Sequence, residues 1–376
     1  MVTQELIYIR IRKRQQSVEP HEAFGDMAQV ARIVVTFLAA VVGLVTSQQF
    51  ASPYQRGPYN TTYVHIGSLL NVGLEENLDV WVPNAPGTYR VFYFLDGFGG
   101  VIPGVAYDQV LEHIASHGMA VVVPWELTAP LNPEDKVPIF TSVMEWAEGH
   151  LESKLHRNGV DEDVHLDLDN LVVGGHSAGA HVLVEYLKGG CGKFKAQVLM
   201  SPVDGVDAAG LIPIFCITPG QTLNYAIPTL HLAAGLDNLG GFSSYACAPD
   251  FLSNERFYDA LDPGSPRWSI NATVFGHADL LDPYFQGALQ VVEFCAYNHN
   301  ATAEEFEAYR RFVAGQIVSF FKALFGGSDE CAAHLAYLED PALMIVEATE
   351  VHANPGAACP APQCSWWPEP ETTIMP

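Results

Sequence analysis

The chain has 376 residues, nearly half of them apolar, enough to bury a large core in one catalytic domain with tails. Its formal net charge of −25 excludes binding to nucleic-acid phosphates and anchoring on anionic lipid through a basic patch; it fits a solvated acidic surface. No internal repeat divides it.

Residues 1–47 read as a targeting segment. The apolar run Ile33 to Val45 follows Arg32 and ends at Thr46-Ser47-Gln48. It is too short for a comfortable membrane span and suits a signal-peptide core, with Met27 as an alternative start and cleavage near Ser47. A retained signal anchor is the other reading. Residues 48–326 read as the catalytic domain. Thr62 to Ile66 and Leu78 to Val82 form a hairpin-like antiparallel edge. Val91 to Leu95 is a buried parallel strand that runs into Asp96-Gly97-Phe98-Gly99-Gly100. Tyr107 to His117 is a helix ending at Gly118, Met119 to Val123 a strand, and Pro138 to His156 a long helix. This alternation predicts an α/β fold, a mostly parallel twisted sheet with helices on both faces. The loops Gly205 to Pro228 and Gly235 to Pro249, the latter carrying Phe242 and Tyr245, are expected to form an apolar cleft with Phe98 and Trp125. Residues 327–376, rich in Pro, Cys and Trp, read as a poorly ordered tail.

One turn concentrates the chemistry. Leu171 to Gly174 reads as a strand, Gly175-His176-Ser177-Ala178-Gly179 as a G-x-S-x-G turn, and Ala180 to Leu187 as a helix. A serine on a sharp strand-to-helix turn needs small flanking residues, and the helix N-terminus behind it turns free N–H groups toward developing negative charge. This is similar to the nucleophile elbow of α/β-hydrolases, in which an acid and then a histidine follow the serine. His277 is the base candidate, after Gly276 at the end of the strand Ser269 to Phe275. The other histidines beyond the serine lie on the elbow helix (His181), within a strand (His231), in a polar stretch (His299) or in the tail (His334, His352). Two aspartates compete as the acid: Asp204 after the strand Ala196 to Val203, and Asp237 after the strand that starts at Thr229. Both belong at the carboxyl edge of the sheet; Asp237 occupies the more usual topological slot, and the pattern alone leaves the two near even. The oxyanion donors are assigned to the backbone N–H groups of Phe98 and Ala178, with Gly99 as a neighbour that lets substrate approach.

From Val91 to Phe325 the chain resembles the chlorophyllases, esterases that remove phytol from chlorophyll. Pro202-Val203-Asp204-Gly205, Cys247-Ala248-Pro249, Phe275-Gly276-His277 and Phe294-Cys295 carry the resemblance. So do Ala115-Ser116-His117-Gly118 and the closing helix from Arg310 to Ala323. The resemblance implies a Ser177–Asp204–His277 triad, with Asp237 in reserve. It also implies an apolar pigment ester as substrate, no cofactor and no metal, and a Cys247–Cys295 pair. Contact with a membrane is expected through the substrate only. Two departures concern substrate preference: Ala178-Gly179-Ala180 stands where those enzymes carry Arg-Gly-Gly, and Asp96-Gly97-Phe98 where they carry His-Gly-Phe. A different serine esterase or lipase (cutinase-like or platelet-activating-factor acetylhydrolase-like) is the alternative, and a non-catalytic binding protein a minor one.

With seven cysteines the count is odd, so at least one is free or pairs outside the chain. Asn60 and Asn300 sit in loop-like glycosylation sequons, and Asn271 in a sequon within a strand. The signal implies the secretory route, leading to a complex plastid or the cell exterior.

Overall fold

The computed structural model describes residues 51–376 except 131, 206–209, 242–245, 355–364 and 367–376. The targeting segment, Phe242, Tyr245, Cys359 and Cys364 therefore lie outside the described residues. The strands are β1 (Thr61–Ile66), β2 (Asn77–Pro83), β3 (Gly87–Leu95), β4 (Met119–Trp125), β5 (Val164–His176) and β6 (Phe194–Met200). They continue with β7 (Tyr225–Ala226), β8 (Thr229–Ala234), β9 (Arg267–Ala272), β10 (Ala348–Asn354) and β11 (Ser365–Trp366). The principal helices are α1 (Asp108–Ser116), α2 (Pro133–Arg157), α3 (Ala178–Lys188), α4 (Glu255–Ala260), α5 (Pro283–Val291), α6 (Ala303–Phe325) and α7 (Ser328–Glu339).

Nine strands form one sheet in the order β1-β2-β4-β3-β5-β6-β8-β9-β10. The six from β4 to β9 in that order are mutually parallel, and β1, β2 and β10 are antiparallel edges. β7 and β11 form a separate two-stranded ribbon. The sheet separates two apolar layers: α1, α6 and α7 pack on one face, α2, α3 and α4 on the other. Val91, Phe92, Tyr93, Phe94 and Leu95 on β3 are all buried, because a central parallel strand is covered on both sides. This is the α/β-hydrolase arrangement, and it brings the carboxyl ends of six parallel strands to one edge.

Three boundaries differ from the sequence reading. The long helix begins at Pro133, not Pro138. Asn132 caps it by accepting the Glu134 N–H at 3.2 Å, and Pro133 fits the first helical position because it needs no N–H there. Pro138 lies one turn in and is tolerated. The strand before His277 ends at Ala272, so the turn carrying the histidine is longer than expected. The expected poorly ordered tail is corrected as far as Asn354: α7 docks Cys331 and Leu338 into the core, and β10 extends the sheet by pairing with β9. The Cys247–Cys295 disulfide forms, with Cα atoms 5.5 Å apart, and Cys216 is free and buried. Asn60 and Asn300 are exposed, whereas Asn271 lies within β9.

Burial pushes His176 down to about 3 and His231 and His334 down to about 4. Unfolded histidines bind protons near pH 6.5. These side chains therefore contribute stability that is intact above that pH and drains away as pH falls toward their folded values. Urea midpoints should fall between pH 7.5 and 5.5, before carboxylates titrate; a flat midpoint over that window would contradict the burial of the neutral rings.

Candidate active site

β5 ends at His176, and Ser177 takes φ 56°, ψ −129° before α3 begins at Ala178. A side chain costs energy in that conformation, so the surroundings must hold it. A Cβ on Gly175 would stand 2.6 Å from the Ala180 nitrogen, and one on Gly179 would collide with the carbonyl oxygens of Leu95 and Asp96. The two glycines let the start of α3 sit directly against the end of β3. The Ser177 N–H donates to the Met200 carbonyl, and its own carbonyl accepts from Val203, both at 3.1 Å. The first N–H groups of α3 find no partner within the helix and stand beside the serine.

His277 hangs from the turn after β9. A Cβ on Gly276 would strike the Ala296 carbonyl, which explains the preceding glycine. Asp279 Oδ2 accepts the Gly276 N–H at 2.7 Å and the Asn298 N–H at 3.3 Å, bracing the turn.

The acid beside His277 is Asp237. The His277 Nδ1 lies 3.0 Å from Asp237 Oδ1. The second oxygen, Oδ2, accepts from Asn254 Nδ2 at 3.0 Å and from the Ala234 N–H at 3.1 Å. Burial works to raise the Asp237 carboxyl, but the His277 ring, Asn254 and Ser201 outweigh it and hold it below the usual carboxylate range. The expectation that Asp204 would orient the imidazole is corrected on this geometry. Asp204 follows β6, two strands from β9, and its oxygens face Arg256, Cys216 and His181, whereas Asp237 follows β8, which adjoins β9.

Asp204 instead forms a buried brace. Arg256 Nε donates to Oδ2 at 2.7 Å, the Cys216 N–H donates to Oδ1 at 2.7 Å, and His181 Nδ1 stands 3.2 Å from Oδ1. Burial tends to raise this carboxyl too, and His181 and Cys216 bring it below its ordinary value. One side chain thus ties α3, α4 and the connection after β6 together.

The oxyanion loop follows β3. Phe98, Gly99 and Gly100 all have positive φ (56°, 72° and 100°), so the backbone curls and leaves the Phe98 ring half exposed against Phe294, centroids 5.8 Å apart. Asp96 points its carboxyl into the protein. Its Oδ1 accepts the Ile102 N–H at 3.0 Å, and the buried Lys136–Glu76 ion pair lies alongside, Lys136 packed against Gly100. Burial raises Asp96 well above the ordinary carboxylate value, with Lys136 opposing. The carboxylate expected near the oxyanion donors is therefore a support beneath the loop. Trp125 ends β4 with its ring 6.2 Å from that of His65 on β1, whereas Phe98 faces Phe294.

A directed chain of hydrogen bonds joins the oxyanion loop to the histidine turn. The His277 carbonyl can only accept, so His176 Nε2 donates to it at 3.1 Å. His176 Nδ1 must then accept the Tyr107 O–H at 2.9 Å, and the Tyr107 oxygen accepts the Gly97 N–H at 3.1 Å. The depressed His176, buried beside His277, keeps the neutral ring this chain requires. Tyr107, His176, Asn254 and Arg256 received no role in the sequence reading: His176 stands inside the G-x-S-x-G turn at a position the pattern leaves open, and the other three lie on elements distant in sequence with no motif of their own.

Among the described residues, His181, Glu185 and Cys216 are the one group spaced to hold a metal ion. Glu185 is paired with Lys188 at 2.9 Å, and His181 Nδ1 lies 3.2 Å from Asp204.

The chlorophyllase family model matches residues 49–353. The chain belongs to the chlorophyllase family. Among curated relatives, chlorophyllase type 0 of Chenopodium album is 29% identical over 265 residues, 66% of this chain and 72% of that protein. The chloroplastic chlorophyllase-1 of Citrus unshiu is 28% identical over 306 residues, 79% of this chain and 87% of that protein. Chlorophyllase-2 of Arabidopsis thaliana is 26% identical over 264 residues, 68% and 79% of the two chains. Chlorophyllase homology supports a carboxylic ester hydrolase.

Asp204→Ala should lower unfolding free energy by about 3 kcal/mol, because Arg256 would keep a buried charge without its partner. Urea unfolding followed by circular dichroism reads this; an unchanged midpoint would contradict the brace.

Proposed function

We propose that this chain hydrolyses the phytyl ester of chlorophyll through a Ser177–His277–Asp237 triad. The observation that carries the proposal is the Asp237–His277 contact, at the same sheet edge as a serine in an elbow conformation, in a chain of the chlorophyllase family. Asp237 occupies Nδ1, which leaves Nε2 of His277 to take the proton as Ser177 Oγ attacks the ester carbonyl. The N–H groups of Ala178 and Phe98 receive the oxyanion. Collapse of the tetrahedral adduct expels phytol with the proton from the imidazolium. Water, deprotonated by the same ring, then releases chlorophyllide and restores Ser177. The pigment's magnesium belongs to the substrate. A plastid is the proposed location, in keeping with the chloroplastic relative from Citrus unshiu. Ala178 and Ala180, where the resembled enzymes carry arginine and glycine, favour as a second reading an esterase of broader substrate range.

Chromatography of chlorophyll a incubated with the purified protein tests the substrate. Chlorophyllide should accumulate; brisk turnover of short nitrophenyl esters with no chlorophyllide would transfer the case to the broader esterase. Ser177→Ala should abolish both activities and labelling by a fluorophosphonate. Asp237→Asn should cost roughly 10⁴-fold in kcat, because the ring loses its orienting carboxylate. Asp204→Asn should act through stability, with far smaller loss in the folded fraction. The reverse ranking would return the acid role to Asp204.

Tyr107→Phe tests the hydrogen-bond chain. It keeps the ring but frees the Gly97 N–H and His176, and should lower kcat for a soluble ester roughly tenfold by loosening the oxyanion loop. Wild-type kcat in that variant would make the chain merely structural.

A further inference from the structure

The exposed apolar side chains are concentrated at one end of the molecule. Of the seventeen large hydrophobic residues exposed among the described residues, all but Tyr63 lie in connections that leave or enter the sheet at the carboxyl edge of its parallel strands. Leu69 and Leu70 stand on the β1–β2 turn, which the antiparallel pairing Ile66 to Leu78 and Asn77 to Trp125 brings to that edge. Leu127 follows β4, Leu239 follows β8, and Val291 and Val292 close α5 after β9. These segments are tied to one another around the candidate site. The Phe98 ring meets Phe294, Gly240 bridges Cys295, and the Glu126 N–H donates to the Gly100 carbonyl at 2.9 Å.

The same connections are free of cationic residues. Residues 67–76, 97–107, 126–132, 201–222, 235–254, 273–302 and 340–347 contain not one lysine or arginine, while Glu126, Asp250 and Glu293 are among their carboxylates. Arg256, on α4 next to this edge, is held by Asp204. Anionic headgroups would meet no counter-charge here and would be repelled by the chain's net charge of −25.

We propose that this rim docks the candidate site onto lipid surfaces whose headgroups carry no net charge, so that an apolar ester passes from the lipid into the cleft without crossing water. The gain comes from burying apolar rim area, and the absence of cations selects against anionic membranes. The inference rests on an ester-cleaving site at this edge, but its test does not.

Cosedimentation of the full chain with phosphatidylcholine vesicles, without substrate, reads binding. Replacing half of the phosphatidylcholine by phosphatidylglycerol should weaken binding several-fold at low ionic strength, and added salt should restore it. Val291→Ser/Val292→Ser should bind phosphatidylcholine vesicles about tenfold more weakly. Its turnover of a soluble nitrophenyl ester should stay unchanged, which shows that the variant is folded. Leu69→Ser/Leu70→Ser repeats the test on an independent segment. Failure of the wild type to bind phosphatidylcholine vesicles, tighter binding to the anionic ones, or wild-type binding by both variants would each overturn the proposal. Vesicle binding by a wild-type chain that cleaves no ester would retire the esterase reading and leave only the lipid-docking surface standing.

Discussion

The site depends on how closely the start of α3 approaches the end of β3. At Gly179 the helix backbone lies against the carbonyls of Leu95 and Asp96, where no side chain fits. That contact sets the distance between Ser177 and the oxyanion loop, and the rest of the site is arranged to preserve it. Below the loop, Asp96, Lys136 and Glu76 fill the space with compensated charge. Beside it, Tyr107 and His176 carry the alignment across to the histidine turn. The strain of Phe98 and Ser177, both non-glycine residues at positive φ, is sustained by this enclosure.

The strand order governs the rest. The connection after β8 adjoins that after β9, and the Cys247–Cys295 disulfide spans the two. Asp237 and His277 are thereby carried on covalently linked neighbours, while Ser177 comes from the middle of the sheet. Asp204, one strand closer to the serine, uses an equally buried carboxylate for a different purpose, and its environment shows why. Arg256, two backbone N–H groups and the His181 ring surround its oxygens, so the imidazole it faces is His181 and not His277.

What was legible in the sequence followed from local rules. The elbow was visible because a strained turn leaves glycines at fixed positions, and His277 because a strand and a glycine precede it. The alternation of apolar runs gave the layered sheet. The choice between Asp204 and Asp237 was not legible, because both end strands with similar composition and only the lateral order separates them. Family likeness pointed to Asp204, but the carboxylate beside His277 is that of Asp237; a matched motif does not report the partner a carboxylate meets. β10 was missed for a similar reason: an edge strand needs its neighbour to be recognised.

The support under the oxyanion loop has a consequence for how this chain can vary. Asp96, Glu76 and Lys136 are each almost wholly enclosed, and two carboxyls share one ammonium. Exchange of Asp96 for the histidine of the resembled enzymes would replace the buried carboxyl that lies beside Lys136 and accepts the Ile102 N–H. The three positions, which lie on separate elements, are thus energetically coupled: a substitution at one changes the electrostatic surroundings of the other two.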